Sequence, residues 1–281
     1  MKNFYFNITI MFTIVFTAVL GIDILRNSHS IPIVKYFPLD EDVFFEEAFT
    51  SLQLTDSSTP YCFLWQNRSS TNIPLYLRQD INLLFMNSIL IGAKNKWQEN
   101  TAEILTEENL CFDQESVIQG LSFSYGENHQ NEKITSIYQM SEDELFVRKT
   151  EEGKFNSVID KENNNGQALP LKEKINQVIL KRQKELINHF DINKENYIIM
   201  TLFQMKKAYD SNNLPVPEEI VDRVIGQLWE GLYRNYVLPV LENEVYATMP
   251  LILFSKDESH LLVVFYMKDE PQLLIQQYFS Q

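Results

Sequence analysis

Residues 116–150 read SVIQGLSFSYGENHQNEKITSIYQMSEDELFVRKT, and the texture of this stretch decides the fold class. Its runs SVIQGLSFSYGE, KITSIYQM and ELFVRKT are rich in β-branched and aromatic residues, and the polar clusters NHQNE and SED separate them. Such runs, bounded by turn-forming residues, predict strands joined by short connections, here an antiparallel meander.

Toward the C-terminus the pattern changes twice. The segment TEEGKFNSVIDKENNNGQA is polar and Asn-rich, which predicts a mobile loop or linker at 150–168. Beyond it, Leu171, Ile175, Val178, Ile179, Leu186 and Phe190 recur with a helical period. Lys172, Lys174, Lys181, Arg182 and Lys184 occupy the other faces of that helix, where water solvates them. NYIIMTLFQM then reads as a buried strand. A second helix is predicted near 217–235, opened by Pro217, Glu218 and Glu219 and carrying Val221, Val224, Ile225, Leu228 and Leu232 on one face. Trp229, Tyr233 and Tyr236 widen that face into a core-facing stripe. MPLILFS, HLLVVFYM and QLLIQQYF read as closing strands, with KDES as a hairpin turn and Pro271 limiting the last one, for which a short helix is the alternative.

On the N-terminal side, EDVFFEEAFTSLQL places Phe45, Ala48, Phe49 and Leu52 at helical spacing. YLRQDINLLFMNSILIGAKNKWQ puts Ile81, Leu84, Phe85, Ser88, Ile89 and Gly92 on one helical face. Arg78, Asp80, Lys94 and Lys96 confine its uncharged run to about 13 residues, too short to span a bilayer, so a buried helix is predicted, with a strand as the alternative. Strands and helices do not alternate as a doubly wound parallel sheet requires. The class is therefore α+β, helices packed on antiparallel sheet, over the regions 41–149 and 169–281.

The first residues carry a different signal. NFYFNITIMFTIVFTAVLGI, residues 3–22, holds no charge, with Lys2 before it and Asp23 and Arg26 after it. A helix of about 20 such residues crosses the hydrocarbon layer, and the positive charge at its start keeps that end inside. Residues 1–26 are therefore expected to form a membrane anchor, with 27–40 as an extended spacer. The alternative is a signal sequence cut near Val19, Leu20 and Gly21, although no A-x-A-like site is present. Either way the remainder is extracytoplasmic.

That location sets the reading of the two cysteines. Cys62 and Cys111 form an even pair that an oxidising compartment would bridge, and a disulfide between them is expected. Asn67, Arg68 and Ser69 form a glycosylation sequon if the source is eukaryotic and secretory.

A net charge of −14 repels the phosphates of nucleic acid and excludes them as the expected partner. No HExxH, CxxC or EF-hand spacing is present, and Glu127, His129 and Glu132 make a candidate metal set without a third anchored ligand. No G-x-S-x-G elbow or phosphate-cradling G-x-x-x-x-G-K-[ST] loop occurs, so no cofactor is expected. Acidic clusters at DED, EE, TEEN and SEDE are the raw material for a carboxylate pair, and Cys62 with His260 is the one nucleophile and base pairing to test. The function expected is that of a single-pass anchored protein that binds or regulates another envelope component without covalent chemistry. The alternative is an envelope hydrolase acting on peptide or glycan.

Overall fold

Two antiparallel sheets carry the chain. The structure is a computed structural model that describes residues 37–130, 133–158, 165–243 and 245–278. The expected anchor at 1–26 and most of the 27–40 spacer lie outside these residues, as does part of the 150–168 segment. The first sheet comprises β1 (Phe45–Asp56), β2 (Tyr61–Met86), β3 (Ile89–Phe112), β4 (Ser116–Gln130), β5 (Lys133–Lys149) and β6 (Phe155–Val158). Its path runs β1-β2-β4-β5-β6, with β3 along the other side of β2. The second sheet has the order β10-β9-β8-β7, from β7 (Tyr197–Thr201), β8 (Leu251–Ser255), β9 (His260–Met267) and β10 (Glu270–Gln277). Among the described residues, four α-helices accompany them: α1 (Asn165–His189), α2 (Leu202–Asp210), α3 (Val221–Leu232) and α4 (Leu238–Asn243). The result is a mixed α+β architecture dominated by antiparallel sheet.

The expected meander is present in a simpler form. β4 and β5 pair continuously from Ser116↔Val147 to Gln130↔Lys133, so Asn128, His129 and Gln130 lie at the end of β4 while SED lies within β5. The three residues of SED do not turn the chain, because they continue the ladder with β4, and β1 also holds two of them. Thr50 Oγ1 lies 2.9 Å from Ser141 Oγ, and the Leu52 N–H donates to Asp143 Oδ2 at 2.7 Å.

Two predicted helices are strands. Residues 45–56 form β1, which pairs with 62–71 of β2, and Thr50 and Leu52 are buried on its inner side. The i, i+3, i+4 spacing of Phe45, Ala48, Phe49 and Leu52 was real, but cross-strand pairing overrides local periodicity in so short an element. Residues 76–98 span the end of β2 and the start of β3, joined by a two-residue turn at Asn87 and Ser88 with φ of 53° and 63°. Both faces of the sheet are covered here, and Ile81–Met86 are all buried. A strand buried on both sides shows no alternation, so the period that distinguishes strand from helix is missing. NYIIMTLFQM is split: β7 stops at Thr201, whose side chain caps α2 in a reciprocal capping box with Gln204. The helix over 171–190, the helix near 217–235, and the three closing strands are found where the sequence places them.

The first sheet is bent. β2 is 26 residues long, and its register with β3 breaks between Ser70 and Leu75. Its first half pairs with β1 and its second half with β4, so β1 returns over β4 and β5. Gly120 permits that approach, since a Cβ there would lie 2.8 Å from Thr50 Cγ2. Inside the fold, Tyr61, Phe63, Trp65, Leu84, Met86 and Phe155 form one apolar cluster. The opposite face of the same sheet presents Ile81, Leu83, Phe85 and Phe123 to α2, α3 and the second sheet. Trp229 of α3 stacks on Phe123 with ring centroids 4.7 Å apart. The far face of the second sheet receives α1 through Ile179 and Leu186.

Candidate functional site

A cleft of about 500 Å3 lies between α1, α2, β5 and β7. Phe146, Ile175, Ile179, Ile199, Phe203 and Met249 give it an apolar lining, and Glu144, Lys172, Gln204 and Lys207 give it polar groups. A second recess of about 510 Å3 adjoins it along the seam where β1 meets β5, sharing Glu144, Phe146 and Lys207 with the first.

The SEDE cluster supplies the charge at this junction. Glu144 accepts from Gln119 Nε2 at 2.6 Å, and Lys207 Nζ lies 4.0 Å from Glu142 and 3.8 Å from Glu144. Burial pushes the Glu142 carboxyl above the usual range, against the opposing pull of Lys207 and Lys206. Among the described residues, Glu142 Oε2 is buried without a hydrogen-bond partner. Asp143 holds the seam: Oδ2 takes the Leu52 N–H and Oδ1 the Glu144 N–H at 2.9 Å, so one carboxylate replaces a missing rung between two strand edges. Lys172 Nζ sits 4.8 Å over the Phe146 ring. The cleft therefore offers apolar surface beside carboxylates and ammonium groups, a lining suited to an amphipathic segment.

A second polar centre is closed. Arg78 is fully buried where β2 bends, with its Nη2 3.7 Å from Asp80 Oδ1. It donates to Ser69 Oγ, to Thr71 Oγ1 at 3.2 Å and to the Ala102 carbonyl at 2.9 Å, while its cation lies 4.9 Å from the Phe45 ring centroid. Ser69 Oγ donates to Asp80 Oδ2 at 2.6 Å. Burial raises the Asp80 carboxyl despite these partners and lowers the Arg78 guanidinium. Both groups are 0–1% exposed, so this centre positions the two halves of β2 rather than meeting a ligand.

The residues singled out in the sequence are scattered. Cys62 and Cys111 are opposite each other on β2 and β3 and form a disulfide. With Cys62 bridged, it has no thiolate to offer, and His260 lies on β9 of the other sheet. His260 Nδ1 is 2.7 Å from Ser259 Oγ, and Nε2 is 2.9 Å from Tyr197 OH. Ser259 gives its own proton to Asp257 Oδ1 at 2.6 Å, so the aspartate engages the serine directly instead of orienting the imidazole. This cluster clamps the β8–β9 turn. Asn67 is 2% exposed, and its side chain accepts from Ser122 Oγ at 2.6 Å and donates toward Thr106, which leaves no room for a glycan in the folded strand. His129 stacks on Tyr76 with centroids 3.9 Å apart and meets Glu127 at 3.0 Å, while Glu132 lies outside the described residues. Among the described residues, no group of three or more potential ligands gathers to hold a metal, and no helix is long and apolar enough to cross a membrane.

Comparisons of the chain with protein-family models, with curated proteins and with solved structures find no match in any of the three. Sequence reasoning named SEDE among four acidic clusters; its distinguishing feature, proximity to Lys207 and Phe146, arises from tertiary packing.

Proposed function

We propose that this chain is a single-pass membrane-anchored extracytoplasmic protein whose cleft binds a segment of another envelope component without covalent chemistry. The uncharged run at 3–22 supports the anchor, and the Cys62–Cys111 disulfide fits an oxidising compartment. The single observation that carries the binding role is the cleft itself, apolar beneath and lined with Glu144, with Glu142 in the adjoining recess. Its partner is a polypeptide segment that combines apolar with basic side chains, the complement of an apolar floor beside the carboxylates of the SEDE cluster.

A photo-crosslinking side chain at Leu180, 61% exposed and lining the cleft, tests this in full-length protein in native membranes. A discrete adduct from position 180, absent from a control at exposed Leu105 on β3, is the expected result. Equal adducts from both positions, or none, would contradict it. The envelope hydrolase remains the second reading, favoured by the raised proton affinity of Glu142 beside Glu144, the arrangement of an acid next to a base. Hydrolysis assays separate the two: cleavage of envelope peptide or glycan by the parent that is lost in Glu142→Gln supports the hydrolase, and an adduct from position 180 with no cleavage by the parent supports binding.

A further inference from the structure

The open edge of β10 has features that the other strand edges lack. Among the described residues, β10 pairs with β9 alone, in an unbroken register from Glu270↔Met267 to Gln277↔His260. The connecting turn is Lys268 and Asp269, both at positive φ, so Met267 and Glu270 form a hydrogen-bonded pair and such pairs alternate along the hairpin. Glu270, Gln272, Leu274 and Gln276 therefore turn their backbone groups toward β9, a phase that the Tyr278 N–H to Ser259 carbonyl bond at 3.0 Å continues. Leu273, Ile275 and Gln277 turn theirs outward. Pro271 falls on the outward side, where its missing N–H removes nothing from the existing ladder.

Natural edge strands are usually guarded by charge, bulges or shortness. β3 carries Lys94, Lys96, Glu99, Glu103, Glu107 and Glu108 and has register breaks, and β7 is five residues long. β10 has none of these guards after Pro271. Residues 271–281 are wholly uncharged in a chain of net charge −14, and Ile275 is 66% exposed at the centre of the edge.

We propose that β10 pairs antiparallel with β10 of a second copy of this chain, about a two-fold axis at Ile275. In that register Ile275 faces its own counterpart, and Leu273 faces Gln277 of the other copy. Every outward N–H of the edge finds a carbonyl, and Pro271 stays outside the new ladder. A two-fold interface must be self-complementary, and an uncharged strand with its free donors centred on one residue meets that demand. Pairing β3 with itself would instead set glutamates against one another. The residual repulsion between two acidic bodies is long-range, so the dimer strengthens as salt is added.

The test uses the full chain in native membranes. Because both native cysteines are bridged, Ile275→Cys introduces one free thiol near its symmetry mate, and Ile198→Cys, exposed on the opposite edge of the same sheet, controls for chance collision. The expected result is disulfide-linked dimer from the 275 variant in about tenfold excess over the 198 variant, since hydrogen-bonded strand pairs bring Cα atoms to about 5.5 Å. In detergent, Ile275→Lys is expected to sediment at half the protein mass of the parent while keeping its melting temperature. Cross-linking at 275 no greater than at 198, or unchanged sedimentation of Ile275→Lys, would overturn the proposal and leave the edge to a strand from another protein.

Discussion

At the scale of single residues, Arg78 and Asp80 are the most consequential pair. Each charge is buried; Asp80 depends on Arg78 and Ser69 for its partners, and Arg78 on Asp80, Ser69 and Thr71. Removing one leaves the other uncompensated, so Arg78→Met is expected to lower stability by about 3–5 kcal/mol. Adding Asp80→Leu should restore most of that loss, because a packed apolar pair needs no ion partner. Denaturant titration of the single and double variants checks both statements. Asp40 gives a second test. Burial pushes its carboxyl upward, but bonds from Thr135, Asn128 and the N–H groups of Asp42 and Val43 outweigh this and hold it down, from 3.8 to about 2. A depressed carboxyl stabilises the fold once it is ionised in both states. The contribution is therefore complete above about pH 4 and lost as pH falls from 3.8 toward about 2. Acid melts of Asp40→Asn should lack this component, and an unchanged acid profile would count against the role given to Asp40.

At the scale of elements, the Cys62–Cys111 bridge ties the far ends of the long β2–β3 hairpin across a separation of 49 residues. Chain entropy for a loop of that length sets an upper figure of about 4 kcal/mol. The double variant Cys62→Ala/Cys111→Ala should melt lower by up to that amount, with its earliest hydrogen exchange in β1 and the start of β2. This hairpin also shows where the sequence is readable and where it is not. β5 announced itself by its β-branched and aromatic composition. The end of β2 did not, because burial on both sides leaves INLLFM apolar at every position but Asn82, without the alternation that marks a strand, and Asn87 and Ser88 are the local sign of the turn. Helix α3 was legible for the opposite reason: Val224, Ile225, Leu228 and Leu232 face the core while Asp222, Arg223 and Glu230 do not. Of the cleft, Ile175 and Ile179 were visible as a helical face. Their meeting with Phe146 and Glu144 joins elements about thirty residues apart, which no local period encodes.

At the scale of the whole molecule, one continuous core joins the bent sheet to the second sheet through α2 and α3. Trp229 sits at its centre, 1% exposed and stacked on Phe123. Trp229→Ala should cost about 3–5 kcal/mol and loosen both sheets together in a single transition. Two separate melting steps would show that the sheets fold independently. The cleft lies on the outside of this shared core, with its walls drawn from both sheets and from α1 and α2, so binding there depends on the assembled fold. We propose that this body works outside the cytoplasm, where a bridged cysteine pair persists. The most direct measurement treats intact native cells with a membrane-impermeant thiol reagent, with and without prior impermeant reduction, and follows the mass of the full chain. Labelling of Cys62 and Cys111 only after reduction, with the cells intact, is the predicted result. Two free thiols that react without reduction and only after lysis would contradict the location, the bridge and the envelope role together.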